Sequence, residues 1–441
     1  MNDKDIIITG GRVIDPARNY DQKADLLLSG GLIAKVEKDL KPPAGALEIN
    51  AEGLVVIPGL IDMHVHLRDP GQEYKEDIFS GALAAAAGGF TAVAAMANTD
   101  PVCDNPSVVR YVRDRAARAA VRVYPIGAVT RGLEGKEMAE MGRMKEAGAV
   151  AFSDDGKPVA SGMMMRNALQ YASGIGTLII AHEEDPYLFA DGVMHEGAVS
   201  SVIGLRGIPA AAEEAMLARD LLLLKITGGR LHVAHVSTAG SVELVRRARS
   251  EGLPVTAEVT PHHLLLTDRM VKNSGYSTST KVNPPLRSEQ DRRALWEGLL
   301  DGTIDAIASD HAPHHPDDKD VEFDFAPFGI AGLETTLPLL LDELASGRVR
   351  NLTLPLLIEK MSLAPARILN IPGGTLQPGA AADVTIIDLK RITTVNPGAW
   401  YSKSRNTPFA GRQLTGAPVR TIVGGKIVME EGAPAGSAEE N

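Results

Sequence analysis

The chain has 441 residues, of which 44% are hydrophobic and 23% charged. That length fits two or three ordinary domains or one large α/β barrel with a small attachment, and that composition supports a buried core rather than disorder. With 45 Lys and Arg against 56 Asp and Glu, the formal net charge is −11, a sign that repels phosphate backbones and anionic lipid and argues against nucleic-acid and membrane partners. The single cysteine, Cys103, can form neither an internal disulfide nor a thiolate cluster. A reducing, cytoplasmic setting is therefore expected, and any metal must be held by His and carboxylates.

The first apolar run is broken by Gly10-Gly11, too early for a signal peptide or a membrane span. Three segments share a β-rich run, two glycines and a second β-rich run: residues 6–14 around Gly10-Gly11, 26–36 around Gly30-Gly31, and 421–429 around Gly424-Gly425. Each predicts a tight hairpin, because paired glycines permit the positive φ angles of two-residue loops. Residues 382–389 add a further strand. Short hairpins need partners, so residues 1–57 and 368–441 are expected to form one small discontinuous β domain.

Between residues 58 and 367 the pattern changes to short apolar runs alternating with Ala-, Leu- and Glu-rich stretches. Strands are predicted at residues 59–66, 91–98, 121–129, 149–155, 177–182, 231–237, 255–260 and 305–310. Helical patterns at 74–87, 107–119, 211–224, 241–250 and 290–300 separate them. Eight such units predict a (β/α)₈ TIM-like barrel, whose chemistry gathers at the C-terminal ends of its strands. An open doubly wound sheet is the alternative, but neither its G-x-G-x-x-G fingerprint nor a Walker A motif is present.

Reactive side chains recur where these strands run out: His64 and His66, Asn98, Asp154-Asp155, His182, His235 and Asp310. In His-x-His, residues i and i+2 share one face of a strand, so both imidazoles can meet one ion. Arg68, two residues on, offers a fork suited to a carboxylate. Either Asp154 or Asp155 could turn the chain instead of binding metal, and His182 or His235 taken alone also fits a core histidine. Asp310 ends a buried apolar strand, a costly place for an unpaired carboxylate. The inventory exceeds one four-coordinate zinc site with an open position, and it suits two divalent ions about 3.5–4 Å apart that activate water and polarise a carbonyl together. Hydrolysis is the expected chemistry.

The motifs DMHVHLRDPGQEYKED, GGFTAVAAMANTDPV, AFSDDG, AHEED, HVSTAG, EVTPHHLLL, KVNPPLR, DGTIDAIASDHAPH and FGIAGLETTLPLL occur in the order seen in bacterial class I dihydroorotases of the amidohydrolase superfamily. The chain resembles that family over nearly its whole length. The resemblance implies the reversible cyclisation of N-carbamoyl-L-aspartate to (S)-dihydroorotate in pyrimidine (UMP) synthesis, with two zinc ions. It implies His64 and His66 as ligands of one ion, His182 and His235 as ligands of the other, Asp155 as the bridge, and Asp310 as catalytic acid/base and further ligand. His66, Arg68, Asn98, Asn283, His314 and the Phe328-Gly329 backbone would contact substrate. Arg68 and His314, with the metals, would supply the local positive charge an anionic substrate needs in an acidic protein. One departure is visible: the family's Met-Pro-Asn-Thr is Met96-Ala97-Asn98-Thr99 here.

Hydantoinases and allantoinases are similar cyclic amidohydrolases, but they bridge their metals with a carboxylated lysine where AFSDDG presents aspartate. Inactive dihydroorotase-like partners of aspartate transcarbamoylase lose metal ligands, and this chain keeps them all. A homo-oligomer, and aspartate transcarbamoylase as a partner of the active enzyme, fit the resemblance. His262 and His263 have no assigned role beyond supporting a ligand, and residues 316–325 are expected to be a mobile flap or plain surface loop.

Overall fold

A computed structural model describes residues 4–435. Eight parallel strands, β1 (Leu60–Val65), β2 (Phe90–Ala95), β3 (Arg122–Gly127), β4 (Ala151–Phe152), β5 (Ile179–Ala181), β6 (Leu231–Val233), β7 (Val255–Val259) and β8 (Ala306–Ile307), pair in sequence order. Strands buried on both faces read as continuous apolar runs rather than alternating ones, and β1 and β2 are buried at every position. Beyond β8 the ring closes: Val65 and His311 form a parallel bridge, with the His66 amide donating to the His311 carbonyl at 2.8 Å. The structure is therefore the expected TIM-like barrel.

Helices cover the outside, and their starts follow local capping chemistry. The pattern at 74–87 begins as a helix only at Ile78, because the Asp77 side chain accepts the Phe79 and Ser80 amides and so marks the N-cap. The helix Pro106–Ala116 begins with Asn105 as cap and proline in its first turn, where the missing N–H is not needed.

Both ends of the chain build a second sheet of nine strands. Its seam is the antiparallel pairing of Val55–Pro58 with Val384–Thr394, and Ile8, Leu26, Val56, Val384 and Ile422 form its own buried core. Asp383 at the start of this seam takes two hydrogen bonds from Arg122 of β3, at 2.8 and 3.0 Å, tying the sheet to the barrel.

Two of the three predicted hairpins are present, at Gly30-Gly31 and Gly424-Gly425, with all four φ angles between 57° and 76°. The third is not. Residues Ile6–Asp15 form one continuous strand, and Gly10-Gly11 is a bulge in its pairing with Tyr20–Ser29. Gly10, at φ 75°, donates to Asp25 Oδ1 at 2.8 Å. A Cβ on Gly11 would stand 2.7 Å from Val56 Cγ2, so here the glycine permits close strand packing rather than a turn.

Residues 316–325 form a mostly exposed surface segment. They contain a helical turn, Pro316–Lys319, and the buried Lys319 donates to the carbonyls of Pro327 and Gly329 at 2.7 and 3.2 Å. Lys281 holds the carbonyls of Phe323 and Asp324 at 2.8 and 2.9 Å. Two lysine side chains donating to backbone oxygens tie the segment down.

Candidate metal centre

At the C-terminal mouth of the barrel the predicted residues converge. Asp155, just past β4, turns one carboxylate oxygen to each side. Its Oδ2 lies 3.4 Å from His64 Nε2 and 3.4 Å from His66 Nε2. Its Oδ1 lies 3.2 Å from His235 Nε2 and 3.4 Å from His182 Nδ1, and those two nitrogens are 3.0 Å apart. Asp310 Oδ1 joins the first pair, 3.2 Å from His66 Nε2 and 3.5 Å from His64 Nε2. All six side chains are buried.

These separations suit metal. Ligands around a tetrahedral ion with bonds of about 2.0–2.1 Å stand roughly 3.3–3.4 Å from one another. Two groups meet this geometry, His64/His66/Asp155 and Asp155/His182/His235, sharing Asp155. His64 Nε2 is buried without a hydrogen-bond partner, as a lone pair reserved for a cation would be. Burial opposes protonation of His64 and His182, yet Asp155 with Glu258 pushes His64 well up, and Asp155 with Glu184 pushes His182 to about 10. A divalent ion would be drawn by the same negative field.

The surrounding shell fixes the rings. His64 Nδ1 donates to Glu258 Oε1 at 2.6 Å, leaving Nε2 to face the centre, and Glu258 Oε2 meets His232 Nε2 at 3.2 Å. Burial favours the neutral acid of Glu258, but His64 and His232 outweigh it and hold its carboxyl down at about 2. Sequence reasoning missed Glu258, although the signal was there: a carboxylate on a strand with a buried apolar end, the argument applied to Asp310. Glu258→Gln keeps the size but weakens the orienting bond, so affinity for the first ion should fall about 10–100-fold. Chelator competition measures this, and unchanged affinity would leave Glu258 a purely structural role.

The two adjacent aspartates divide the work. Asp154 Oδ1 accepts the amides of Val129 and Thr130 at 2.8 and 2.9 Å, binding the end of β4 to that of β3, so Asp154 is the turn-maker. Lys157 is exposed on the following turn, where its amide meets the Asp154 carbonyl at 2.8 Å.

A cavity of about 320 Å³ opens over these ligands, and Arg68, Asn98, Asn283, His314, Phe328 and Gly329 all line it. Several are already engaged within the protein. Asn98 Oδ1 accepts from His66 Nδ1 at 2.8 Å, a bond that orients a candidate ligand. Asn283 Nδ2 donates to Glu184 at 2.7 Å, and the Gly329 amide to the Lys281 carbonyl at 2.9 Å. Burial beside Arg68 lowers His314 to about 2, and its Nε2 donates to the Phe328 carbonyl at 2.8 Å. His314 is therefore neutral and adds no positive charge to the cavity in this arrangement. Arg68 is lowered by burial only to about 10 and keeps its charge. His263 bonds Thr260 and the Pro284 carbonyl at 2.7 and 2.9 Å, bracing the Asn283 segment, whereas His262 Nε2 has no partner. Arg68, His235 and Asp310 hold left-handed φ angles of 60°, 32° and 46°, strain of about 1–3 kcal/mol each that is typical of functional positions.

Residues 53–241 match a family model described as dihydro-orotase-like. The dihydroorotase of Pelotomaculum thermopropionicum is 56% identical, over 97% of this chain and 99% of that protein. That of Geotalea daltonii is 54% identical over 96% and 99%. The chain belongs to the dihydroorotase family. Its fold extends beyond that family: an L-hydantoinase from Arthrobacter aurescens is 30% identical with a TM-score of 0.88, covering 98% of this chain and 97% of that one. A D-hydantoinase at 24% identity and TM-score 0.85 shares the fold. Among the described residues no helix is long and apolar enough to cross a membrane.

Proposed function

We propose that this chain is a class I dihydroorotase of the amidohydrolase superfamily, interconverting N-carbamoyl-L-aspartate and (S)-dihydroorotate with two zinc ions per chain. The observation that carries this reading is Asp155, whose two oxygens reach both histidine pairs beneath a cavity walled by Arg68. His64 and His66 would hold one ion, His182 and His235 the other, with Asp155 between them and Asp310 beside the first. When bound, such ions supply Lewis acidity, easing deprotonation of water and polarising a carbonyl.

The rest falls to the protein. In the hydrolytic direction water oxygen bonds to the ring amide carbon and the carbon–nitrogen bond breaks. Asp310 takes the proton from water and returns it to the departing nitrogen. Burial alone would raise Asp310, but its hydrogen bond to His66 and its proximity to the imidazoles of His64, His66 and His235 hold it well below the usual carboxylate range, so it is present as a base. Arg68 grips the substrate carboxylate, the cation that a chain of net charge −11 must place locally. Neutral His314 offers Nδ1 as an acceptor and holds the Phe328 carbonyl through Nε2.

The deciding experiment assays the metal-loaded protein side by side on dihydroorotate, hydantoin and allantoin. Turnover of dihydroorotate well above the others is expected, and preference for hydantoin would overturn the assignment. Arg68→Lys should lower kcat/KM on dihydroorotate by at least about 10-fold, because lysine cannot form the bidentate pair. Residual action on dihydrouracil, which lacks the carboxylate, should change much less. Equal losses would make Arg68 structural. The family resemblance extends the proposal to a cytoplasmic homo-oligomer able to dock on aspartate transcarbamoylase, tested by co-migration of the two proteins on a sizing column.

A further inference from the structure

We propose that Ser404 and Asn406, which lie outside the barrel on the segment leading to the terminal sheet, are positioning residues that set the width of the substrate cavity. Neither lines the cavity. Both touch the segment that follows β8 and carries two of its walls, His314 and Phe328-Gly329.

The bonds form a directional chain. The His314 amide donates to Ser404 Oγ at 3.3 Å. With its oxygen accepting there, the Ser404 hydroxyl gives its single proton to Asn406 Oδ1. That contact turns the Asn406 amide so that Nδ2 donates to the Gly329 carbonyl at 2.8 Å. The Asn406 carbonyl in turn accepts the Ala331 amide at 2.9 Å. Ser404 and Asn406 are buried, so water does not compete for these bonds; losing the Ser404 hydroxyl would leave the His314 amide unsatisfied, and losing the Asn406 donor would leave the Gly329 carbonyl to Lys319 alone.

The segment is itself anchored. The amides of Tyr401 and Ser402 donate to Glu334 Oε1 at 2.9 and 3.1 Å, and Ser402 Oγ donates to Glu76, which accepts from His311 Nε2 at 3.3 Å. One strap from the C-terminal part of the chain thus spans the loop from the residue after Asp310 to Gly329. His314 also bonds the Phe328 carbonyl across the cavity rim, so a slack strap would let both walls drift together and loosen the grip on substrate while leaving the metal ligands in place.

This inference rests on the cavity being the dihydroorotate site, and its test is built to separate the two. Asn406→Asp keeps size but sets an oxygen against the Gly329 carbonyl, and Ser404→Ala removes the hinge of the chain. In the zinc-loaded full-length protein each should raise KM for dihydroorotate about tenfold, the scale of one buried hydrogen bond. Turnover should stay within about threefold and metal content at the wild-type level, the pattern expected when ground-state and transition-state binding fall together. Amide hydrogen exchange over residues 311–332 should quicken in both variants. Unchanged KM, or unchanged exchange over that stretch, would overturn the proposal, and a lowered melting temperature with normal KM would reduce the strap to a structural role. If the wild type fails to turn over dihydroorotate, the functional reading falls, and the exchange measurement still decides the strap.

Discussion

Asp155→Ala is expected to abolish binding of the two-ion pair, leaving at most one ion per chain by elemental analysis and cutting activity by at least about 10²-fold. Its two oxygens are the contacts that both histidine pairs share, so alanine leaves four imidazoles around two cations with no anion between them. A bridge of this kind needs only deprotonation and metal, whereas a carboxylated lysine needs carbon dioxide as well. Lys157 is exposed on the turn after Asp155, so Lys157→Met should leave metal content intact, and reconstitution should proceed equally with or without bicarbonate. Two ions retained in Asp155→Ala, or recovery that depends on bicarbonate, would show that the bridge is elsewhere.

Asp310→Asn should retain shape and lose the base, lowering turnover by at least about 10²-fold, within the usual range for general acid–base groups. The carboxylate stands 3.2 Å from His66 Nε2, so asparagine also weakens one contact near the first ion. Metal content measured on the same sample separates the two effects. Full metal with lost turnover is the expected result, and near-normal turnover would move proton transfer to another group.

Much of the barrel was legible because its strands are buried on both faces and its helices carry caps. Each predicted strand has a counterpart, but several are far shorter than their apolar runs: 149–155 contracts to Ala151–Phe152, and 305–310 to Ala306–Ile307. The residues that leave the sheet are those that turn Asp155 and Asp310 toward the mouth, and a hydrophobicity pattern does not record where pairing stops. Glu258 carries the sequence signal of a carboxylate on a buried strand, but the groups it serves, His64 and His232 on two other strands, are set by the tertiary fold.

By itself the sequence determined the eight repeating units, the sharing of one sheet by both termini, and the set of His and Asp residues at strand ends, since these follow from periodicity and from the cost of burying charge. Tertiary structure decided what depends on a distant neighbour. Gly10-Gly11 and Gly30-Gly31 are the same dipeptide, yet one is a bulge beneath Val56 and the other a hairpin turn, because strand partners rather than local propensity choose between two backbones that glycine permits equally. It also decided between Asp154 and Asp155, which differ only in whether the carboxylate meets two amides of β3's end or four imidazoles. It set the charge of His314 as well, which is neutral because burial beside Arg68 makes a second cation there too costly.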